Sequence, residues 1–311
     1  MLITRPHYYD SFRCIAGACP DSCCKEWSVQ VDEASAAVYR SLPGALGDKL
    51  RSVLAEEEGC TVMTIENGRC PMWRDDGLCR IQSELGEDAL CQVCRDFPRL
   101  RHDFGDFMDL QLELSCPEAA RLILTSPMLP PITQELPGGD APEYDPESMA
   151  AAKAIRAELL DILADERRSP AQALLEVYRR GTGMVCQPGT AGDFEGIREF
   201  YLSLETLTPQ WPRLLEQARP RPLDSRVRQL ARYLLERYFL QEQLEDTLGK
   251  LTFIIASCLM ISALDGDFVE MAQLYSKEIE NSDCNPYDLM DAAYTEEAFS
   301  PGNLTALLLN S

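Results

Sequence analysis

Apolar residues recur at helical spacing through the second half of the chain. Between residues 151 and 163 an alanine, an isoleucine and two leucines follow one another at intervals of four, which places them on one face of an α-helix. Asp145 and Pro146 precede this segment. An acidic N-cap followed by proline is a helix start signal, so we predict that a helix begins there.

The same kind of start signal occurs twice more in this half. Ser169, followed by a proline, forms a capping box with Gln172. Gly181 is placed to end the helix that they begin. Thr208-Pro209 offers the third start signal, which predicts another helix immediately after it.

A longer apolar pattern follows these helices. Asp224 precedes a segment whose apolar residues between 227 and 244 share one helical face, and residues 247–264 read as an apolar helix. The stretch 251–264 contains a threonine and two serines and falls short of the roughly 20 residues that span a bilayer. We therefore predict a buried helix and no membrane partner.

The first half is less regular. Residues 34–56 show helical periodicity that is interrupted at Pro43-Gly44, and Trp27 to Val31 alternates like a short strand. Residues 126–146 contain six prolines and a Gly-Gly pair without an apolar period, which indicates a linker or long surface loop.

These patterns predict a mainly α protein, and its 311 residues suffice for about two domains. We expect an irregular cysteine-rich domain over residues 1–125, the linker over 126–146 and an α-helical domain over 147–311. The segment that starts at Met1 lacks the apolar run and the small-residue cleavage site of a secretory signal. The expected location is therefore the cytoplasm.

The cysteines indicate what chemistry the protein performs as well as how it folds. The chain has thirteen, and ten of them precede residue 117. Structural disulfides are rare in a reducing compartment, and scattered core cysteines would not crowd in this way. The crowding favours a metal-binding role for the first domain, because soft thiolates at short spacing can converge on one centre.

The spacing bears on the kind of metal. His7 and His102 are the two histidines of the chain, so a histidine-rich zinc or copper site is excluded. Zinc ribbons normally have two CxxC knuckles, whereas this region has one, from Cys91 to Cys94. We expect an iron–sulfur cluster, with zinc as the alternative. Cys91 itself can also be read as a small buried hydrophobe.

The charge of the chain disfavours one class of partner. The formal net charge is -22, and nucleic-acid binding depends on cations that neutralise phosphates. We therefore predict no nucleic-acid partner. An acidic surface would instead attract a protein with exposed lysines.

Several motifs in the first domain together resemble the flagellin lysine N-methylase family, and more distantly the cysteine-rich proteins described as zinc- or iron-chelating domains. The resemblance covers most of residues 5–125 in register. It is carried by FRCIAGACPDSCCKEW at Phe12–Trp27, GRCP at Gly68–Pro71, DGLCRIQ at Asp76–Gln82, LGE at Leu85–Glu87, CRDFPR at Cys94–Arg99 and LSCPE at Leu114–Glu118.

The resemblance implies transfer of methyl groups from S-adenosylmethionine to lysine side chains of flagellin, by a protein that holds a cysteine-bound iron–sulfur cluster. Cys60 and Cys91 lie outside the family pattern. The metal ligands that it implies are Cys14, Cys19, Cys23, Cys24, Cys70, Cys79, Cys94 and Cys116.

Residues for the methyl donor are harder to identify. The nearest glycine-rich turn, Gly181-Thr-Gly183, follows a predicted helix rather than a strand, so it does not match a dinucleotide-type turn. Arg95 and Arg99 could bind the carboxylate of S-adenosylmethionine, because a guanidinium forks onto carboxylates. They could equally neutralise the thiolate cluster or pair with acidic neighbours.

Methyl transfer to lysine also calls for a dry pocket, which aromatic side chains could line. Trp27, Trp73, Tyr8 and Tyr9 are candidates for its walls, with core packing as the alternative. The sequence leaves two other functions open. One is a non-catalytic zinc- or iron-chelating module whose helical half binds a partner, and the other is a redox protein.

Overall fold

The structure is a computed structural model that describes residues 1–25, 29–57, 59–184, 192–241 and 244–311. The protein is mainly α-helical, as the periodicity predicts. Within the described residues, the chain divides into two compact units.

The described residues form seven strands and fourteen α-helices. The strands are β1 (Leu2–Arg5), β2 (Val29–Gln30), β3 (Leu54–Glu57), β4 (Cys60–Met63), β5 (Arg99–Asp103), β6 (Phe107–Leu112) and β7 (Ile132–Glu135). The helices are α1 (Glu33–Ser41), α2 (Gly44–Val53), α3 (Arg80–Leu85), α4 (Gln92–Asp96), α5 (Pro117–Thr125), α6 (Pro146–Ala164), α7 (Pro170–Thr182), α8 (Phe194–Ser203), α9 (Trp211–Gln217), α10 (Val227–Tyr238), α11 (Thr247–Ala263), α12 (Phe268–Tyr275), α13 (Asn285–Thr295) and α14 (Pro301–Leu309).

The larger unit comprises residues 1–12, 101–115 and 119–311. Its sheet has the order β5-β6-β1-β7, in which β1 runs parallel to β6 and antiparallel to β7. The sheet thus incorporates part of the segment 126–146, which was predicted to be a linker or loop. The boundaries of the compact units also differ from those of the predicted domains. The reason is that β1 pairs with strands of later segments and so joins the start of the chain to them.

Two helix starts in this unit confirm their sequence signals. The Asp145 carboxylate accepts a hydrogen bond from the Ser148 N–H at 2.7 Å, at the start of α6. Ser169 and Gln172 exchange the two hydrogen bonds of a capping box, at 2.8 and 3.2 Å. These signals are local in sequence, so tertiary packing does not alter them.

Two other expectations for this unit are wrong. Helix α7 continues through Gly181 and is capped by Gly183, whose φ of +67° favours glycine. Gly181 is required for close packing instead, since a Cβ there would overlap the Leu251 side chain. Helix α9 begins at Trp211 rather than after Thr208, because the Thr208 hydroxyl and N–H are hydrogen-bonded to the Glu278 carboxylate.

Helix α11 is the apolar helix expected near residues 247–264, and almost all of its side chains are buried. Its Thr252 hydroxyl shares a hydrogen bond of 3.0 Å with the Tyr178 hydroxyl of α7, which satisfies two polar groups inside the core. Across the part of the chain that the structure describes, every helix is too short or too polar to cross a bilayer.

The smaller unit comprises residues 13–100 and 116–118. The predicted break at Pro43-Gly44 separates α1 from α2, and strands β2, β4 and β3 form an antiparallel sheet in that order. Its core contains aliphatic side chains together with Tyr39, Met72 and two cysteines, Cys70 and Cys91. The predicted strand near residues 27–31 is present as β2, although Trp27 lies outside the described residues.

Candidate metal centre

Two cysteine-bearing segments of the smaller unit lie side by side. The Cys70 N–H donates a hydrogen bond of 2.8 Å to the Cys24 carbonyl, and Lys25 and Arg69 form an antiparallel bridge next to it. The Cys70 sulfur also lies 3.4 Å from the Met63 sulfur in a buried position. Backbone pairing therefore holds segments that are almost fifty residues apart in sequence at one place.

A tight loop connects Cys70 to Cys79. The Trp73 N–H donates to the Cys70 carbonyl at 2.9 Å, and Trp73 forms an antiparallel bridge with Cys79. The loop reverses at Gly77, whose φ of +81° other residues rarely adopt. The loop therefore folds back on itself and brings its two terminal cysteines towards each other.

The third cysteine segment is held by the start of α1. The Asp32 carboxylate accepts hydrogen bonds from the Ser35 N–H at 2.9 Å and from the Gln92 N–H at 2.8 Å. It thereby caps α1 and fixes the turn that begins with Cys91. The Tyr39 hydroxyl donates to the Ala89 carbonyl at 2.7 Å, which links α1 to the residues just before this turn.

The thiols on these segments interact with each other. Hydrogen bonds from Cys23 and Cys70 lower the pKa of Cys24, and the same hydrogen bonds raise the pKa of Cys23 and of Cys70. Of these three thiols, Cys24 is therefore the one whose ionised form its neighbours favour. Such a group offers three soft sulfur donors side by side.

Cys91 and Cys94 form a second group of the same kind. Their hydrogen bond lowers the pKa of Cys91 and raises that of Cys94. The charges of Cys24 and Cys23 also raise the pKa of Cys94, although less than the Cys91 hydrogen bond and burial do. The two groups are therefore close enough to interact electrostatically.

The remaining predicted ligands connect to these groups. Burial is the main cause of the raised pKa of Cys79, and Cys24 and Cys91 contribute to it. Cys14 and Cys116 both contribute to the raised pKa of Cys23. Burial likewise raises the pKa of Cys19, with a contribution from Cys14. These effects on pKa link all eight predicted ligands electrostatically, and we call them, together with Cys91, the thiol set.

The thiol set fits a metal centre by its chemistry. It offers sulfur donors that suit zinc or an iron–sulfur cluster. Cys70 and Cys91 are buried, whereas Cys14 and Cys23 are exposed. In the described residues no three Cys, His, Asp or Glu side chains have the geometry of a metal-binding group. The hydrogen bonds between thiols would have to be exchanged for metal–sulfur bonds, with release of their protons.

Cys60 and Cys91 both lie outside the family pattern, but the structure places them in different environments. Cys60 is exposed at the start of β4. Cys91 is only 2% exposed and shares a hydrogen bond with Cys94. Sequence reasoning missed Cys91 as a member of the set, although its CxxC spacing to Cys94 was the available signal.

The other candidate residues are dispersed. Arg95 is exposed on α4, and Arg99 is partly buried at the start of β5. Of the proposed aromatic walls, Tyr8 and Tyr9 are buried in the larger unit, whereas Trp73 belongs to the smaller unit with the thiols. Trp27 lies outside the described residues.

Asp32 gives a stability prediction for this region. We expect Asp32→Ala to lower the free energy of unfolding by about 1–2 kcal/mol at pH 7, the usual cost of losing an N-cap. Hydrogen bonds from Gln92 and Ser35 lower the pKa of Asp32 to about 2, from its ordinary 3.8. The Asp32 contribution is therefore complete above pH 4 and is lost as the pH falls towards 2.

Urea unfolding of wild type and variant at several pH values checks this prediction. The difference between the two proteins should shrink between pH 4 and pH 2. Glu33→Ala is the matched control, since Glu33 is an acidic neighbour at the start of α1 whose side chain does not cap the helix. A difference that stays constant over this pH range would contradict the assigned role of the carboxylate.

Comparison with known proteins places these features in a family. The flagellar biosynthetic protein FliU of Salmonella muenchen is 30% identical over 138 residues, which cover 40% of this chain and 78% of FliU. The lysine-N-methylases of Salmonella typhimurium (strain LT2) and Salmonella choleraesuis are also 30% identical over 138 residues. That alignment covers 40% of this chain and only 33% of either relative.

No family model matches the chain, and no solved structure matches it significantly. The match to FliU nevertheless extends over most of that protein, and the lysine-N-methylases match at the same identity. This chain therefore belongs to the flagellin lysine N-methylase family, as its cysteine-bearing motifs predict.

Proposed function

We propose that this protein is an S-adenosylmethionine-dependent protein-lysine N-methyltransferase that acts on flagellin or a similar lysine-bearing protein. The observation that carries the proposal is the similarity to proteins named lysine-N-methylase and flagellar biosynthetic protein. Because the chain spans only 33% of the lysine-N-methylases, activity and substrate are both part of the proposal.

The proposed reaction is a direct displacement. The neutral lysine amine attacks the methyl carbon of the sulfonium, a C–N bond forms as the S–C bond breaks, and S-adenosylhomocysteine leaves with the bonding electron pair. The amine must lose its proton beforehand, and its ordinary pKa is about 10.4. The protein therefore has to align the two reactants and lower that pKa in a site shielded from water.

The second part of the proposal is an iron–sulfur cluster held by cysteines, with zinc as the alternative. The thiol set would hold it, through Cys14, Cys19, Cys23, Cys24, Cys70, Cys79, Cys94 and Cys116. When bound, the cluster supplies cross-links between loops that otherwise have little regular structure. The proposed location is the cytoplasm, where thiols are kept reduced.

The proposed protein partner is inferred from the net charge of the chain. A chain with a net charge of -22 attracts basic protein segments and repels polyanions. Lysine-rich surfaces of a flagellar protein are thus suitable substrates. Association should weaken as the ionic strength rises, because the attraction is screened by salt.

Methyl transfer from labelled S-adenosylmethionine tests the proposed function. The full chain, purified without oxygen, would be incubated with flagellin, and peptide mass spectrometry would locate added masses on lysine. We expect lysine methylation that increases with time and is absent when the enzyme is left out. Metal-loaded protein that transfers no methyl group would favour a chelating or redox module instead.

A further inference from the structure

The acidic residues of the larger unit are concentrated near the end of the chain. Residues 244–311 contain twelve aspartates and glutamates and two lysines, and residues 278–311 contain neither lysine nor arginine. The excess of acidic over basic residues in this stretch is ten, out of 22 in the whole chain. Nearly half of the net charge therefore lies in less than a quarter of the sequence. Solubility alone calls for charges of both signs interspersed over the surface, so this asymmetry favours a role in binding.

Helix α13 exposes two aromatic side chains within this acidic stretch. The helix packs into the unit through Leu289 and Ala292, which are completely buried. Tyr287, Asp291 and Tyr294 follow one another at intervals of four and three residues and are exposed, so they share the outer face of the helix. Tyr287 is 53% exposed and Tyr294 is 61% exposed. More than half of each tyrosine is therefore in contact with water, in a chain that buries most of its aromatic residues.

Exposed carboxylates lie along the same helix and next to both of its ends. They are Asp283, Asp288, Asp291, Glu296 and Glu297. Among the residues that the structure describes, no cation forms an ion pair with any of these five or lies over either tyrosine ring. We call Tyr287, Tyr294 and these five carboxylates the α13 surface. Its charges and its aromatic rings are thus available to a partner without displacement of a group of the chain itself.

A hydrogen bond holds the second of the two rings in place. The Tyr294 hydroxyl donates to the Asp246 carboxylate, and the same carboxylate caps α11 by accepting from the Gly249 N–H at 2.8 Å. The orientation of Tyr294 is therefore fixed before any partner arrives. Pre-organised side chains lose less conformational entropy on binding, so this ring suits a docking contact.

The chemistry of the α13 surface matches ammonium groups. A tyrosine ring attracts a cation over its face, and Asp291 lies between the two rings along the helix, so one ammonium can contact a ring and a carboxylate together. The two tyrosines are about 10 Å apart along the helix axis, which leaves room for two such cations. Nucleic acids and anionic lipid surfaces would be repelled. A second copy of the chain carries the same negative charges, so self-association through this surface is opposed as well.

We propose that the α13 surface docks a lysine-rich segment of the protein substrate. Lysine ammonium groups of that segment stack on Tyr287 and Tyr294, and the carboxylates of the surface pair with them. This inference rests on the proposed function and adds to it a docking surface on the larger unit. Contacts of this kind are the same before and during methyl transfer, so they strengthen substrate binding without accelerating the displacement itself.

Methylation kinetics with flagellin test the role of the two rings. We expect Tyr287→Ala/Tyr294→Ala to raise the KM for flagellin about five- to thirtyfold, the effect of losing two exposed cation–π contacts. The kcat should stay unchanged, because the lost binding is uniform along the reaction. Tyr287→Phe/Tyr294→Phe retains both rings and should keep the KM of wild type. A KM of the alanine variant within about twofold of wild type would overturn the proposal.

Salt dependence tests the role of the carboxylates. Asp288→Asn/Asp291→Asn should raise the KM at low ionic strength and make it less sensitive to added salt, because these charges attract the substrate. Asp161→Asn/Glu166→Gln is the matched control, since it removes two exposed carboxylates in and just after α6 and should change neither quantity. Equal effects of the two double variants would show that total charge attracts the substrate and that the α13 surface does not dock it.

Direct binding of flagellin, measured by sedimentation of the full chain, separates the docking surface from the proposed function. If wild type methylates flagellin and the α13 variants do so with the same KM, the surface proposal is wrong and the proposed function stands. If wild type binds flagellin without methylating it and Tyr287→Ala/Tyr294→Ala weakens that binding, the proposed function is wrong and the surface stands. A wild-type dimer that the alanine variant dissociates would assign the surface to a second copy and overturn the proposal. Unchanged thermal unfolding temperatures of the variants would show that weaker binding is not caused by unfolding.

Discussion

Replacement of Arg237 by methionine is expected to lower the free energy of unfolding by about 3–5 kcal/mol, the typical cost of removing one partner of a buried ion pair. The Arg237 guanidinium lies 3.0 Å from the Glu280 carboxylate, whose side chain is completely buried. It also donates to the Tyr233 hydroxyl at 2.6 Å. Without the cation, the hydrogen bonds that described residues give to Glu280 would come from Tyr233 and Tyr238.

The double variant Arg237→Met/Glu280→Gln provides the matched comparison. It removes both charges, so we expect it to be more stable than Arg237→Met alone. Urea unfolding at pH 7 measures these differences. A loss below about 1 kcal/mol in the single variant would show that this pair contributes no more than an exposed one.

Cys24→Ser is expected to lose bound iron and sulfide almost completely. Cys24 accepts thiol hydrogen bonds from Cys23 and Cys70, and its charge also raises the pKa of Cys79 and Cys94. Changes to groups that merely support a ligand already weaken metal binding by about 10–100-fold, so loss of this thiolate should have at least that effect. Metal analysis and the visible spectrum of protein purified without oxygen measure the result.

Cys60→Ser and Cys91→Ser complete this comparison. Cys60 is exposed outside the thiol set, and its variant should retain the metal content of wild type. Cys91 is a buried member of the set, so its variant should lose metal as Cys24→Ser does. Full metal content in Cys24→Ser would contradict the proposed centre, since the thiol that interacts with both cysteine groups would then be dispensable.

The helices of this protein could be predicted because their signals are local. The Asp145 cap and the Ser169 capping box depend on residues within three positions. Thr208 shows the limit of such signals, since Glu278, seventy residues away, binds its hydroxyl. Tertiary hydrogen bonds of this kind cannot be predicted from the local sequence pattern.

Apart from β2, the strands could not be predicted from the sequence, for two reasons. Strand β5 has the sequence RLRHD, which lacks apolar alternation. Strand β1 pairs with β6, more than a hundred residues later. Pairings of that separation are set by the folded context rather than by nearby residues.

The candidate site was likewise predictable only in part. The gathering of thiols was predictable, because four of the predicted ligands lie within eleven residues of one another. The buried pair of Arg237 and Glu280 was not predictable, because its members are separated by more than forty residues.

The placement of Cys116 has a consequence for biosynthesis. It belongs to the smaller unit, yet residues 101–115 belong to the larger one. The ribosome therefore synthesises β5 and β6 before Cys116, the last predicted ligand in the chain. Complete loading of the centre has to wait until that stretch has emerged, so partly synthesised chains would carry exposed, oxidisable thiols. Factors that shield nascent sulfhydryls or deliver iron late in translation would accordingly raise the yield of intact protein.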